Sequence, residues 1–502
     1  MSWFMSPAMQ PLHAFAPLVV VTITVLLAML SIAIKRWHGL TATVSVLGLN
    51  VALLVLLGQI LGWFTGFDLQ ASQAVIDGSV YAHLFQIDPY AQFNMVVILV
   101  CSLACCTLSY AYFRTFSDHK DELYLLMLIA TLGAMLMVCA QNLAAMFISL
   151  ELLSVPLYGM LAYAFMRSRS LEAGLKYLVL SATASATLLM GMAFIYSQTG
   201  TLQFKPIAAT LPQLLQSPIL LLGATMMTIA IAFKLSVAPF HAWTPDVYQG
   251  APVPVAAYLA SVSKVAMMGL AIRFFVDSAV LALPSVQLIV MIMATLSILL
   301  GNLLALKQTN LKRLFGYSSI AHMGYVLVVA VSIGPASPTV TNMYMAMYAL
   351  TSIGVFGVIA LMSSTYRLSG EASDLHHYRG LFWRRPVLTG VMTVMLLSMA
   401  GIPLTAGFIT KFFAVLAAVQ GMHWFLAVMI VVGSAIGLFY YLRVMLTMFK
   451  RPKEAHEIEF DALWRWGTQT GGLMVILVTL IVLYFGVLPS KLIEWSTLAM
   501  IW

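Results

Sequence analysis

The sequence predicts an all-α, polytopic membrane protein, and three observations carry that expectation. Of 502 residues, 62% are hydrophobic and 8% are charged, whereas a soluble domain has about 25% charged residues. Apolar runs of about 20 residues, long enough to cross a bilayer, recur along the whole chain. The basic residues concentrate in alternate connections, as they do when those connections face the cytoplasm. The net charge of +8 does not point to nucleic acid, because the basic residues follow the membrane and form no patch on a soluble domain.

Taken in order, the runs fall near 14–34, 40–64, 88–112, 123–140, 143–165, 171–197, 216–238, 252–275, 279–305, 313–332, 339–365, 386–419, 424–448 and 468–488. That makes about fourteen transmembrane helices in a single membrane domain. Residues 1–12 hold no Lys or Arg, and Lys35 and Arg36 follow the first run. A cleavable signal peptide needs a basic start, so the first run reads as a retained span. With the N-terminus outside, the inside connections hold most of the basic residues, among them Lys35, Arg36, Lys312, Arg313, Arg384 and Arg385. The outside connections hold Lys205, Arg273 and Lys491. An even span count then puts both termini outside.

The longest polar stretches, 66–87 outside and 366–386 inside, are too short to bury a core. No Gly-rich phosphate loop and no cofactor pattern is present. Cys101, Cys105, Cys106 and Cys139 all lie in apolar runs. They lack the companion ligands a metal site needs, so packing is their expected role. Neither a metal nor a cofactor is expected in this chain.

Two runs are interrupted. The stretch 228–254, TIAIAFKLSVAPFHAWTPDVYQGAPVP, places Lys234 five residues before Pro239, and proline breaks a helix by removing a hydrogen bond and clashing with the preceding turn. The twelfth run carries Gly401, Pro403 and Gly407, then Lys411. The two lie five spans apart. Five is odd, so five-span units over 122–275 and 279–448 would sit in opposite orientations, after three N-terminal spans (1–113) and before a last span (468–488). Interrupted spans in matching positions point to a transport path.

Four ionisable residues lie deep in spans: Glu151, Lys234, Lys264 and Lys411. Three lysines at membrane depth cost about 8–10 kcal/mol on insertion scales, comparable to a whole domain's stability. Ion pairing with Glu151 accounts for one lysine, not three. Proton handling accounts for all of them. Burial disfavours an ammonium and a neighbouring carboxylate favours it, so a Glu151–Lys234 pair that opens and closes would release and retain a proton, passing it toward Lys264. His322 is either a relay member or a hydrogen-bonded packing residue. His241 either lines the cytoplasmic mouth of the path or is an ordinary loop residue. Tyr317, Ser318, Ser319 and Tyr325 offer hydroxyls, although polar residues are also common glue between membrane helices.

Several stretches resemble one family: ELLSVPLY (151–158), EAGLKY (172–177), FKLSVAPFHAWTPDVYQGAPVP (233–254), NLKRLFGYSSIAHMGY (310–325) and GIPLTAGFITKF (401–412). They are similar to the antiporter-like subunits of respiratory complex I, the proton-pumping NADH:quinone oxidoreductase, over spans four to thirteen. The resemblance implies fourteen helices, two inverted five-helix repeats and discontinuous helices seven and twelve. It implies that Glu151 and Lys234 form a coupled pair, with Lys264 the central relay and Lys411 the exit-side lysine. It implies the other membrane-arm subunits as partners, with FMN and iron–sulfur clusters in partner subunits. NADH and a quinone such as ubiquinone are then met only through the assembly, membrane lipid surrounds the chain, and the location is the bacterial inner membrane with periplasmic termini.

Among the family's paralogues, one continues in a long lateral helix, whereas this chain ends at Trp502 soon after the last span. Another carries glutamate where this chain has Lys411. Both points favour a third paralogue. The competing readings are a subunit of a multi-subunit cation/proton antiporter, for which Glu151 alone is a thin oxygen set, and a structural scaffold, against which the cost of three lysines argues.

Overall fold

The computed structural model describes residues 13–63, 83–114, 120–164, 167–363, 371–451, 460–462 and 465–499. Residues 1–12, parts of 66–87 and 366–386, and the chain end fall outside the described residues. Three helices open the chain: α1 (Ala16–Ile34), α2 (His38–Ile60) and α3 (Pro89–Phe113). Next come α4 (Glu122–Cys139), α5 (Leu143–Leu161), α6 (Ser168–Thr199), the short α7 (Phe204–Thr210), α8 (Pro218–Lys234), α9 (Trp243–Gly250), α10 (Val253–Ala260) and α11 (Val262–Asp277). The second half holds α12 (Pro284–Ala305), α13 (Leu311–Ile333), α14 (Ser337–Ser363), α15 (Leu381–Arg384), α16 (Pro386–Ala400), α17 (Ala406–Gln420) and α18 (Trp424–Phe449). The last two are α19 (Thr470–Val487) and α20 (Pro489–Leu498). Among the described residues only isolated bridges, such as Asn142 with Gln203, break the all-helical pattern.

Local chemistry sets where these helices begin. Asp88 caps α3 by accepting from the Ala91 amide at 2.8 Å, with Pro89 in the first turn. Ser217 and Pro218 start α8 in the same way, and the side chains of Asn142 and Asn310 cap α5 and α13. These residues satisfy helix-start amides that would otherwise be orphaned.

Twelve helices are long and apolar enough to span a membrane, counting 253–277 as one. They coincide with twelve of the fourteen expected runs. The seventh and twelfth are the broken ones. α8 stops at Lys234, and residues 235–242, with a cis Ala238–Pro239 bond, lead into α9. The twelfth run divides into α16 and α17. Its pieces and α8 are 15 to 17 residues long, short of the roughly 20 a full crossing needs.

Burial identifies the centre. The spans 253–277 and 337–363 are wholly buried and 311–332 almost so, whereas only about a third of α1 and α2 is buried. α8 packs on α6. α4 pairs with α5 as α12 pairs with α13. The central spans can exclude lipid and water from the groups they carry, which is what buried charges require.

Two basic residues expected in connections are core residues instead. Arg273 lies in α11 and is fully buried, forking onto Asp88 at 2.6 and 2.9 Å and donating to the Val138 carbonyl. Lys312 is also fully buried. It donates to Glu371 at 2.5 Å and to the Ala251 carbonyl at 2.6 Å. Both sit near the ends of central spans, where protein rather than water covers them.

Candidate functional site

Lys234, Lys264 and Lys411 are buried at the two helix breaks, whereas Glu151, expected to be as deep, is only partly buried beside the first. At the first, α5 supplies Glu151, Ser154 and Tyr158 from one face, and α6 supplies Ser181 and Ser185 one turn apart. The Lys234 ammonium, at the last residue of α8, donates to Ser154 Oγ at 2.8 Å and Ser181 Oγ at 2.6 Å. Ser185 donates to Glu151 Oε1 at 2.5 Å, and the Tyr158 hydroxyl lies 2.9 Å from Ser181 Oγ. The expected direct Glu151–Lys234 contact is absent: Lys234 ends on Ser154 and Ser181, and Glu151 on Ser185.

Lys264 follows the kink that Ser261 introduces between α10 and α11. Its ammonium donates to the Ser236 hydroxyl and reaches the Lys234 carbonyl oxygen at 3.4 Å, and it lies 5.5 Å from the Trp243 ring centre. The last carbonyls of a helix have no intrahelical donor, and the helix dipole is negative at that end. Ending α8 inside the protein therefore makes a cation site, and Lys264 fills it.

The second break repeats the device. Lys411, in α17, reaches back to the last residue of α16 and donates to the Ala400 carbonyl at 3.0 Å. Its ammonium lies 5.3 Å from the Tyr325 ring centre. Gly407 allows the two half-helices to meet, since a Cβ there would stand 1.8 Å from the Ser398 carbonyl oxygen.

His322, in α13, sits beside this break. Its Nδ1 is 2.7 Å from the Tyr344 hydroxyl and its Nε2 3.3 Å from the Tyr441 hydroxyl, which in turn meets Ser318 at 2.5 Å. His322, Tyr344, Ser398, Thr410 and Lys411 line a cavity of about 10 Å³, room for about one water. Tyr348 donates to Ser319 at 2.7 Å, and its ring lies tilted against His322 at 5.3 Å between ring centres. Between the breaks runs α9, packed on α6 and α13. The sequence reading did not single out its Thr244 and Tyr248. Thr244 carries a buried hydroxyl without a hydrogen-bond partner among the described residues, and the buried Tyr248 hydroxyl neighbours Ser319. Polar residues one helical turn apart in a short helix after a proline break were the available signal. His241 is half-buried in the loop, with Nδ1 3.3 Å from the Pro239 carbonyl oxygen, and is not brought to the buried groups.

The family described as NADH:quinone oxidoreductase/Mrp antiporter, TM, matches residues 140–437, which hold both breaks, Glu151 and the three buried lysines. A protein of Psychrobacter arcticus called NADH-quinone oxidoreductase subunit N is 66% identical over 97% of both chains. The chain belongs to the subunit N family of NADH-quinone oxidoreductases. Members of this family are antiporter-like membrane subunits of an enzyme complex, and the fold agrees: a chain of respiratory complex I from Thermus thermophilus with bound aureothin superposes with a TM-score of 0.79 and 30% identity, covering 95% of this chain and 98% of that one. A chain of the Mrp complex from Dietzia shares the fold at a TM-score of 0.82 and 20% identity, covering 97% of both. Subunit N membership makes this chain a multi-pass membrane protein that works among partner subunits.

Proposed function

We propose that this chain is a proton-translocating membrane-arm subunit of NADH:quinone oxidoreductase, moving protons through a partly buried glutamate and buried lysine side chains while quinone is reduced elsewhere in the complex. One observation carries the reading. Two runs break, and at each the freed carbonyl holds a buried lysine with no carboxylate in contact among the described residues. An ammonium held only by neutral acceptors can give up its proton without breaking an ion pair.

Glu151 and the serines tune Lys234. Lys264 receives at the shared break, α9 and the His322 hydroxyl cluster carry the proton on, and Lys411 delivers it. His241 marks the cytoplasmic mouth. The two five-span units over 122–275 and 279–448 run in opposite orientations, both termini are periplasmic, and the membrane is the bacterial inner membrane. FMN and iron–sulfur clusters reside in partner subunits, so NADH and quinone react there.

The test is Lys234→Ala in native membranes, with NADH-to-quinone electron transfer and proton pumping read together. Both are expected to fall while the complex stays assembled. Wild-type rates of both would make Lys234 structural and end the relay reading.

A further inference from the structure

The short helix α9 carries two kinds of side chain on opposite faces. Thr244 and Tyr248 lie one turn apart and are both buried. The Tyr248 hydroxyl neighbours Ser319, which accepts from Tyr348 beside His322. Asp246 falls two residues from each, roughly 200° around the helix axis. It opens into a polar cavity of about 190 Å³, lined also by Arg169, Glu172, Lys176, Gln249 and Arg313.

In that cavity one carboxylate joins three helices. Asp246 Oδ2 accepts from Lys176 of α6 at 3.1 Å, and Oδ1 accepts from Arg313 of α13 at 2.5 Å. The same guanidinium donates to Gln249 of α9 at 3.0 Å, and Lys176 also pairs with Glu172 at 2.6 Å. Backbone packing is close on both sides. A Cβ on Gly250 would stand 2.3 Å from the Arg169 carbonyl oxygen of α6, and one on Gly316 of α13 would stand 3.1 Å from Pro245 Cα. At the other end of α9, Lys312 donates to the carbonyl of Ala251, the residue that ends the helix. The side chains of Arg313, Asp246 and Lys176 are 26%, 37% and 42% exposed, and ion pairs open to water contribute little stability. Orientation is what such a cluster supplies. Two donors from different helices that meet on one carboxylate fix the rotation of a short helix about its axis, and that rotation decides where its buried hydroxyls point.

We infer that Asp246 is a positioning residue for proton transfer between the two breaks: it draws Lys176 and Arg313 onto one face of α9 and so holds the Thr244 and Tyr248 hydroxyls of the opposite face in the path toward the His322 cluster. The inference rests on the relay reading above. Asp246 itself carries no proton in it, since two cations keep its carboxylate occupied.

The experiment uses the intact complex in native membranes, with proton pumping read per assembled complex and thermal unfolding of the purified complex read alongside. Asp246→Asn, which keeps the volume and removes the charge, should lower pumping several-fold and leave the unfolding temperature unchanged. Asp246→Glu, which restores the charge, should pump several-fold faster than Asp246→Asn. Arg313→Gln should lower pumping in the otherwise unmodified complex and add nothing to Asp246→Asn, because both act through one contact. Wild-type pumping in Asp246→Asn, equally low pumping in Asp246→Glu, a pumping loss that tracks a fall in unfolding temperature, or additive losses in the double variant would each overturn the inference. Lys234→Ala separates it from the relay reading. Lost pumping there beside full pumping in Asp246→Asn removes Asp246 alone, whereas wild-type pumping in Lys234→Ala ends the reading on which the inference rests.

Discussion

The two broken helices place a lysine on a freed carbonyl in the same way and surround it differently. At the first break, residues 235, 236, 237 and 238 are fully buried. Ser236 adopts a φ of 63°, which costs a non-glycine residue roughly 1–2 kcal/mol, and its hydroxyl accepts from Lys264. A second lysine, three serines and a carboxylate lie within the same cluster. At the second break, Gly401 takes a positive φ of 83° without that cost, although Leu404 bears it at 72°, and a Cβ at Gly401 would press on the Lys411 side chain at 2.7 Å. Leu404 is 73% exposed, and Lys411 is the sole charge of α17. The first break thus gathers two buried lysines and a partly buried glutamate in one cluster. The second is a lone lysine next to the protein's surface. A relay needs both kinds of station, one that is biased by a neighbour and one that lets the proton go.

The largest expected effect tests whether both stations are used. Lys264→Ala removes the cation from the Lys234 carbonyl and Ser236, and should lower proton pumping by an order of magnitude or more in assembled complex. Lys411→Ala should do the same. Pumping at the wild-type rate in Lys411→Ala would remove the second break from the path and leave the comparison without a function. Next in size is the anchor of α11, for which α17 has no counterpart. Asp88→Ala strands the buried Arg273 and should cost about 3–5 kcal/mol, whereas Asp88→Leu with Arg273→Met should recover most of it. Thermal unfolding of the purified complex reads both.

At the second break the vulnerable point is a contact between half-helices. Gly407→Ala should cost about 1–3 kcal/mol by overpacking and shift Lys411 off Ala400. Its signature is a pumping loss larger than the fall in assembled complex, and an equal fall in both would show that the break has only a structural role. The smallest effect sharpens the first break. Ser185→Ala removes one hydrogen bond from Glu151, about 0.5–1.5 kcal/mol. It should slow pumping by a few-fold, with Lys234 still held by Ser154 and Ser181, and pumping should be unchanged if Glu151 takes no part in the transfer.

The class of fold, the interrupted seventh and twelfth runs and the three buried lysines were legible from residues alone. The reason is contrast: a proline or a lysine is conspicuous against an apolar background, and lipid forces each span to satisfy its own backbone. Arg273 and Lys312 escaped the same reading, because a hydropathy window at the end of a span cannot tell cover by protein from cover by water. Thr244 and Tyr248 escaped it because a hydroxyl in a short helix after a break has no periodic signature. Ser154, Ser181 and Ser185 were visible as residues, but not as the hydrogen-bond partners of Lys234 and Glu151.

What the amino-acid order determined, then, is that the chain is helical and multi-pass, that two helices break, and which charges are carried to membrane depth. Each of these follows from local chemistry, one residue against its neighbours in the chain. What only the tertiary structure decided is which carbonyl each lysine meets. Lys264 comes from α11 to the end of α8, and His322 comes from α13 to the cavity beside Lys411. Those meetings depend on how whole helices lie against one another, and that arrangement is set by packing summed over the bundle.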